Sequence, residues 1–294
     1  MMDIQLERVE TNGVALHIAE AGPKDGRLVI LLHGFPEYWE AWGRYIEPLA
    51  AAGYHVVAPD QRGYNLSDKP RGVGAYDLSV LAADVLGLAD HFGRSRFALV
   101  GHDWGAIVGW WIATRHAERL EQLVVVNAGH PSVWREAMQT NPEQRRRSWY
   151  VRFFRLPWLP EALLRQRRFK PLADTIRRRA RPDTVTPATL DRYREAWRAP
   201  GALTGMINWY RALWRKELPA SAELRLPTPL LLIWGERDAF GVRALAEASL
   251  RLCANGQAIY LKDATHWVQH DEPERCIKEL LDFLGHSPSH SSSD

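Results

Sequence analysis

The pentapeptide Gly101-His102-Asp103-Trp104-Gly105 is the clearest chemical motif in the sequence. It follows the apolar run Phe97–Val100 and opens the periodic segment Trp104–His116, which predicts a tight strand–turn–helix corner. Such a corner lifts its central side chain above a sheet, at the positive end of a helix. Here that side chain is a carboxylate, which favours displacement at saturated carbon and an alkyl-ester intermediate. The competing interpretation is that Asp103 only caps the following helix.

A base that activates water is needed to cleave such an ester. His266 follows the apolar run Gln257–Leu261, and Asp238 follows the run Pro229–Trp234. With Asp103 the chain order is nucleophile, acid, histidine. All three residues lie just beyond predicted strands, where open α/β sheets place their sites. We therefore predict that Asp238 orients the histidine and that His266 takes a proton from water.

Other polar residues near these motifs compete for the same roles. Asp263 is an alternative partner for the histidine. His102 is expected to face away from Asp103, because successive side chains of a strand point to opposite faces. His270 is expected to begin the last helix.

Cleavage of the ester places negative charge on an oxygen, which backbone N–H groups must stabilise. The segment His33-Gly34-Phe35-Pro36 follows the apolar run Arg27–Leu32, where one such donor is expected. The N–H groups of Phe35 and Trp104 are the candidates for this oxyanion hole. We expect the Phe35–Pro36 bond to be cis, as is typical of tight functional turns.

Short apolar runs alternate with helical patterns towards both ends of the chain. The predicted strands are Arg27–Leu32, His55–Ala58, Phe97–Val100, Leu123–Val126, Pro229–Trp234 and Gln257–Leu261. The predicted helices between them are Leu78–Phe92, Trp104–His116, Val242–Leu252 and Pro273–Leu284. Continuous apolar runs are typical of strands covered on both faces. The alternation predicts an α/β fold, with a mainly parallel, doubly wound sheet.

The middle of the chain differs in composition from its ends. Residues 131–222 contain 20 Lys and Arg against 8 Asp and Glu, and six of the 13 tryptophans. Short helical patterns there are broken by prolines. We therefore predict a helical cap over residues 131–222, inserted into a core formed by residues 1–130 and 223–285. Residues 286–294 are predicted to be a flexible tail.

The overall composition excludes several classes of protein. The 294 residues carry a net charge of +3, with 46% hydrophobic and 25% charged residues, which is ordinary for a globular protein. No apolar run is long enough for a membrane span, and no signal peptide is evident, so we expect a cytoplasmic protein. Cys253 and Cys276 form neither a disulfide framework nor a zinc site. We expect no metal, no cofactor and no nucleic-acid partner, because no recognition motif accompanies the basic residues.

Several motifs together resemble the α/β-hydrolase-fold epoxide hydrolases, over about residues 30–284. The motifs are His33-Gly34-Phe35-Pro36-Glu37, Asp60-Gln61-Arg62-Gly63-Tyr64, Gly101-His102-Asp103-Trp104-Gly105, Trp234-Gly235-Glu236-Arg237-Asp238 and His266-Trp267. The resemblance implies an enzyme that converts an epoxide and water to a vicinal diol. A detoxifying role is implied by analogy alone.

The resemblance also implies roles for two tyrosines. Tyr150 in Ser148-Trp149-Tyr150 and Tyr210 in Asn208-Trp209-Tyr210 match the two cap tyrosines of the family. Opening an epoxide develops an alkoxide, which two phenolic O–H donors can bind and one can protonate. The competing interpretation is that both rings only fill the cap.

Two alternatives to an epoxide hydrolase stay open. A haloalkane dehalogenase would use the same Asp103 nucleophile and also carries a tryptophan at the position of Trp104. It needs a second halide donor, for which Trp149 is the candidate. A non-catalytic sensor on the same fold is the other alternative.

The pocket is expected to be apolar and to suit an aryl or alkyl epoxide. The expected lining residues are Phe35, Trp39, Trp104, Trp149 and Trp267. The expected partner is a small-molecule epoxide, and the protein itself is expected to be a monomer or a homodimer.

Overall fold

A computed structural model describes residues 4–182, 184–213, 215 and 218–286 of the protein. Apart from His286, the predicted tail of residues 286–294 lies outside the described residues. Within them, eight strands form one sheet. The strands are β1 (Gln5–Thr11), β2 (Val14–Ala21), β3 (Arg27–Leu32), β4 (Tyr54–Pro59), β5 (Phe97–His102), β6 (Leu120–Val126), β7 (Leu230–Gly235) and β8 (Gly256–Leu261).

The sheet has the strand order β1-β2-β4-β3-β5-β6-β7-β8. Strands β3 to β8 pair with one another in parallel, whereas β1 pairs antiparallel with β2, and β2 pairs antiparallel with β4. Every residue of β5 and β7 is buried, which explains their continuous apolar sequences. The structure confirms the predicted α/β fold with its mainly parallel sheet.

Helices cover both faces of the sheet. Those before β6 are α1 (Gly43–Ala51), α2 (Leu78–His91) and α3 (Trp104–Arg115). Between β6 and β7 the described residues form α4 (Pro131–Thr140), α5 (Pro142–Arg147), α6 (Trp149–Phe154), α7 (Leu159–Leu164), α8 (Gln166–Arg179), α9 (Pro187–Arg198) and α10 (Ala202–Ala212). The last three are α11 (Arg243–Leu250), α12 (Val268–Asp271) and α13 (Pro273–Gly285).

Helices α4–α10, called the cap helices below, occupy the basic middle segment of the chain. This is where the proline-punctuated sequence predicts short helices. Left-handed backbone at Arg167, Arg168 and Phe169 interrupts the start of α8, with φ between 48° and 61°. The division of the chain into a core and a cap domain stays a prediction.

The predicted set lacks strands β1 and β2 and helices α1 and α12. The hairpin of β1 and β2 turns at Asn12-Gly13, whose φ values of 46° and 73° are both positive. An Asn-Gly pair between alternating residues is a strong hairpin signal, and it could have revealed this hairpin. Helix α1 contains Pro48 in its interior, which obscures its helical pattern.

A buried ion pair ties this hairpin to helix α2. Arg62 Nε and Nη2 donate to the carboxylate of Asp84 at 2.7 and 2.6 Å, and Asn12 Nδ2 donates to the same carboxylate at 2.8 Å. Arg62→Ala would leave a buried carboxylate without its cation, so we expect the free energy of unfolding to fall by about 3–5 kcal/mol. Urea denaturation measures this change. Arg44→Ala, which removes an exposed pair with Glu274, should cost less than about 1 kcal/mol. Equal losses would contradict the prediction.

Candidate active site

Strand β5 and helix α3 meet at the predicted corner, and Asp103 occupies its centre. The backbone of Asp103 has φ 50° and ψ −115°, a strained conformation for a residue with a side chain. A Cβ on Gly101 would lie 2.5 Å from the backbone nitrogen of Ala106, and one on Gly105 would overlap the carbonyl oxygen of Leu32. Both glycines are therefore required by close packing at the turn.

Asp103, His266 and Asp238 come together beyond the carboxyl ends of β5, β8 and β7. His266 Nδ1 lies 2.8 Å from Asp238 Oδ2, within hydrogen-bond distance. On its other side, His266 Nε2 lies 3.6 Å from Asp103 Oδ2, slightly beyond that distance. The histidine ring thus stands between two carboxylates. It is Asp238, and not Asp263, that contacts the ring.

Three donors besides the histidine hold the carboxylate of Asp238. The backbone N–H groups of Phe240 and Gly241 donate to Oδ1 at 2.6 and 2.9 Å. Asn127 Nδ2 donates to Oδ2 at 2.7 Å, while its Oδ1 accepts from the N–H of Gly235 at 2.8 Å. Asn127 follows β6, so a residue at the end of a fourth strand fixes the orientation of Asp238.

The charges of this group set its protonation state. Burial alone would lower the pKa of His266, but the negative charge of Asp238 and the nearby Asp103 carboxylate raise it to about 10. Burial alone would raise the pKa of Asp238, but the His266 ring and the donated hydrogen bonds hold it below its usual value. These charges therefore favour the protonated form of the His266 ring.

This raised pKa predicts a pH-dependent contribution to stability. The ordinary pKa of histidine is 6.5, and that of His266 is about 10, so the folded state holds the proton more tightly. The resulting stabilisation is full below pH 6.5 and is lost as the pH rises towards 10. We expect the Tm advantage of the wild type over His266→Gln to shrink steadily across this range, as measured by calorimetry. A Tm difference between the wild type and His266→Gln that stays constant across this range would contradict the assignment.

Two tyrosines from the cap helices face Asp103. Tyr150 lies on α6 and Tyr210 on α10, with ring centroids 5.9 Å apart, and both line the same cavity as Asp103. Phe35 and Phe154 contact the Tyr210 ring at centroid distances of 5.2 and 4.8 Å. Burial raises the pKa of both tyrosines well above the ordinary value, and the charge of Asp103 raises it further. Both phenols therefore keep their protons and can donate hydrogen bonds.

The predicted oxyanion donors lie on either side of the nucleophile. The N–H of Phe35 donates to Asp103 Oδ1 at 2.9 Å. Trp104 is the first residue of α3, so its N–H has no partner within the helix. The Phe35–Pro36 bond is cis, which confirms that expectation.

Two cavities meet at Asp103, one of about 1170 Å³ and one of about 90 Å³. Phe35, Trp149 and Trp267 line the larger cavity, and Trp104 lines the smaller one. The sequence also predicts Trp39 as a lining residue, but it lines neither cavity. It begins a short 3₁₀ turn and packs edge-on against the Tyr38 ring, at a centroid distance of 6.3 Å.

Sequence reasoning missed Phe240, which contacts several site residues. Its ring lies 4.9 Å from the His266 ring and 5.6 Å from the Tyr150 ring, between centroids. The position two residues after Asp238 could have indicated this role, because the backbone N–H of Phe240 also holds that acid. Phe240 therefore packs between His266 and Tyr150.

A buried polar network behind His266 was also missed. His102 faces away from the cavities, as predicted, and its Nε2 donates to the carbonyl oxygen of His266 at 2.9 Å. Glu37 Oε2 lies 2.9 Å from His102 Nδ1, and its Oε1 lies 2.6 Å from Nε2 of His270. Burial alone would raise the pKa of Glu37, but the two rings hold it well below its usual value. His270 belongs to α12, so the expectation that it begins the last helix is wrong.

The described ranges contain no group of three or more His, Cys, Asp and Glu side chains arranged to hold a metal ion. Among the same residues, no helix combines the length and the apolar character that crossing a bilayer requires.

Comparison with known proteins gives consistent matches over nearly the whole chain. A family model described as alpha/beta hydrolase fold matches residues 27–273. The chain is 43% identical to AB hydrolase superfamily protein YfhM of Bacillus subtilis, over 97% of this chain and 99% of that protein. It is 36% identical to Epoxide hydrolase 4 of Homo sapiens, over 94% of this chain and 77% of that protein.

A solved structure shares the same architecture. The Bacillus megaterium epoxide hydrolase in complex with an inhibitor superposes with a TM-score of 0.86 and 29% identity, over 95% of this chain and 100% of that one. The family model, the relatives and this structure agree with the fold described above. The chain belongs to the α/β-hydrolase-fold family and, within it, to the epoxide hydrolases.

Proposed function

We propose that the protein hydrolyses an apolar aryl or alkyl epoxide to a vicinal diol through a covalent ester on Asp103. The observation that carries this proposal is the placement of two protonated phenols and one carboxylate on the same cavity, with a histidine behind the carboxylate. The phenols suit an oxygen that becomes basic as its bond to carbon breaks. The aromatic walls suit an apolar substituent.

In the first step, Tyr150 and Tyr210 donate hydrogen bonds to the epoxide oxygen. A lone pair of Asp103 Oδ2 attacks one ring carbon from the opposite side, and the electrons of the broken C–O bond pass to the ring oxygen. One of the tyrosines protonates that oxygen. The product is a hydroxyalkyl ester of Asp103, and the carboxylate has lost its negative charge.

That loss of charge prepares the second step. The Asp103 carboxylate raises the pKa of His266, so its conversion to a neutral ester lowers that pKa. The imidazolium can then release a proton to the tyrosinate and act as a base. His266 takes a proton from water, which attacks the ester carbonyl, while Asp238 stabilises the imidazolium that forms.

The N–H groups of Phe35 and Trp104 stabilise the negative charge on Oδ1 of the tetrahedral intermediate. The bond between Cγ and Oδ2 then breaks, and the His266 imidazolium gives its proton to the departing diol oxygen. The second water proton, left on the new carboxyl group of Asp103, passes to His266 and restores the starting charges.

A substrate panel tests the proposed function directly. Styrene oxide and 1,2-epoxyhexane should give their diols, and 1-bromohexane should release no bromide. Asp103→Ala should abolish diol formation. Release of bromide without diol would instead support a dehalogenase, with Trp149 as the second halide donor. Absence of both products, together with absence of any adduct on Asp103, would support a non-catalytic protein.

A further inference from the structure

A group of large apolar side chains is exposed on the cap helices. Leu156, Trp158, Leu159 and Leu163 have exposed fractions of 44%, 76%, 40% and 39%. They lie close together in the chain, between the end of α6 and the end of α7. These four residues are called the apolar patch below. A contiguous apolar surface of this kind is typical of a site that binds a protein or a membrane.

Helix α7 buries its charged residue and exposes apolar ones. Glu161 is buried, although it is the charged residue of the helix. The exposed residues of α7 are all apolar: Leu159, Ala162 and Leu163. Residues three and four positions apart share a face of a helix, so these three form one apolar face. A surface helix normally turns its charged face to water, so the exposed face of α7 suits an apolar partner.

An ion pair holds the apolar patch in place. Arg211 of α10 donates to both oxygens of the Glu161 carboxylate, from Nη1 at 2.7 Å and from Nη2 at 3.0 Å. Its Nη2 also donates to the carbonyl oxygen of Leu156 at 2.7 Å. One guanidinium thus joins Leu156 to Glu161 and closes the segment between them into a compact turn. The same contact neutralises the charge of Glu161.

Exposed arginines flank the apolar patch on both sides. Residues 149–173 contain five arginines and one lysine, and Glu161 is the single acidic residue among them. The five arginines are all exposed: Arg152, Arg155, Arg165, Arg167 and Arg168. Because Arg211 already neutralises Glu161, the surface around the patch is strongly positive.

This charge decides between the possible partners of the apolar patch. Two copies of the chain that met through the same surface would bring their arginines together, and the repulsion disfavours such a dimer. A nucleic acid offers phosphates to the arginines but no apolar surface to the leucines. A bilayer that contains anionic lipids offers both, with negative headgroups above an apolar interior.

We propose that the apolar patch and the arginines beside it dock the protein on the surface of a bilayer that contains anionic lipids. The Trp158 ring and the leucine side chains enter the boundary between headgroups and acyl chains, where tryptophan is favoured. The arginines contact the headgroups, and each strengthens binding about 5-fold. This inference concerns the outer surface of the cap helices and does not depend on the proposed function.

Vesicle sedimentation tests the apolar part of the inference. The full chain should bind mixed vesicles of phosphatidylglycerol and phosphatidylcholine, and Trp158→Ser/Leu163→Ser should weaken this binding at least about 10-fold. The control Leu6→Ser/Leu66→Ser alters two leucines outside the cap helices, each 54% exposed, and should leave binding within about 2-fold. An equal loss in both variants, or no loss in Trp158→Ser/Leu163→Ser, would overturn the inference.

The charged part is tested by lipid composition, salt and substitution. Vesicles of phosphatidylcholine alone should bind at least about 10-fold more weakly than the mixed vesicles, and added salt should weaken binding to the mixed vesicles. Arg152→Gln/Arg165→Gln/Arg168→Gln should weaken that binding about 100-fold. Equal binding to both kinds of vesicle would overturn the inference.

A matched control separates the position of the charges from their number. Arg44→Gln/Arg71→Gln/Arg251→Gln removes equal charge from exposed arginines outside the cap helices, and it should leave binding within about 2-fold. Equal losses in the two triple variants would overturn the inference, because net charge alone would then be responsible.

The remaining outcomes separate this inference from the proposed function. None of the substituted residues lines either cavity, so diol formation without vesicles should be unchanged in every variant. Absence of binding to any vesicle would overturn the inference and leave the proposed function standing. If analytical ultracentrifugation then showed self-association that Trp158→Ser/Leu163→Ser abolishes, the partner of the apolar patch would be a second copy of the chain.

Discussion

Replacing His266 by glutamine should stop the reaction halfway, with the substrate attached to Asp103. Glutamine keeps a polar group near Asp238 but cannot remove a proton from water, so the second step loses its base. We expect turnover to fall about 10³-fold or more. The first step needs only Asp103 and the two tyrosines, so it should still proceed. Intact-protein mass spectrometry should show one added substrate mass, and peptide mapping should locate it on Asp103.

Two comparisons make this result specific. Asp103→Ala should give no adduct with the same substrate. His116→Gln, which changes a half-buried histidine outside both cavities, should turn over normally and accumulate none. An unmodified His266→Gln protein that still binds substrate would show that the histidine is needed before the ester forms, which would contradict the proposed order of steps.

The second large effect is expected from the double variant Tyr150→Phe/Tyr210→Phe. Loss of one donor aimed at developing charge costs about 10²–10³-fold, and here either phenol can partly replace the other. We therefore expect each single variant to lose about 10²-fold in the rate of ester formation, and the double variant to lose at least about 10³-fold. Rapid-quench kinetics with protein in excess measures this step alone.

The phenylalanine rings keep the packing of the site, so binding and folding should change little. Tyr54→Phe/Tyr260→Phe, which alters two tyrosines outside both cavities, is the matched control and should be fully active. Equal slowing of the first and second steps in the Tyr150/Tyr210 variant would contradict the proposed role. The phenols would then act through packing rather than by hydrogen bonding to the epoxide oxygen.

The parts of the site that sequence revealed are those fixed by local constraints. The corner at Asp103 requires small residues on both sides. These residues, Gly101 and Gly105, form a motif that can be recognised in the sequence. Asp238 and His266 follow strands whose continuous apolar runs are easy to read. The positions of these three residues at one edge of the sheet then follow from the parallel arrangement.

The parts that sequence did not reveal depend on contacts between distant segments. Glu37 meets His102 and His270 only after β3, β5 and α12 have assembled, and none of the three neighbours another in the chain. Trp39 and Phe240 are both aromatic residues near motifs, yet only Phe240 reaches the cavity. The direction of such a ring depends on loop conformation, which composition and periodicity do not specify.

The two oxygens of the Asp103 carboxylate have different surroundings, since Phe35 holds Oδ1 while Oδ2 faces His266. Under the proposed mechanism, Oδ2 is the oxygen that leaves as part of the diol, and an atom from water takes its place. Oδ1 stays with the protein unless the carboxylate rotates. The catalyst therefore renews one of its own atoms in every cycle, and each diol carries away the water oxygen that entered during the preceding turnover.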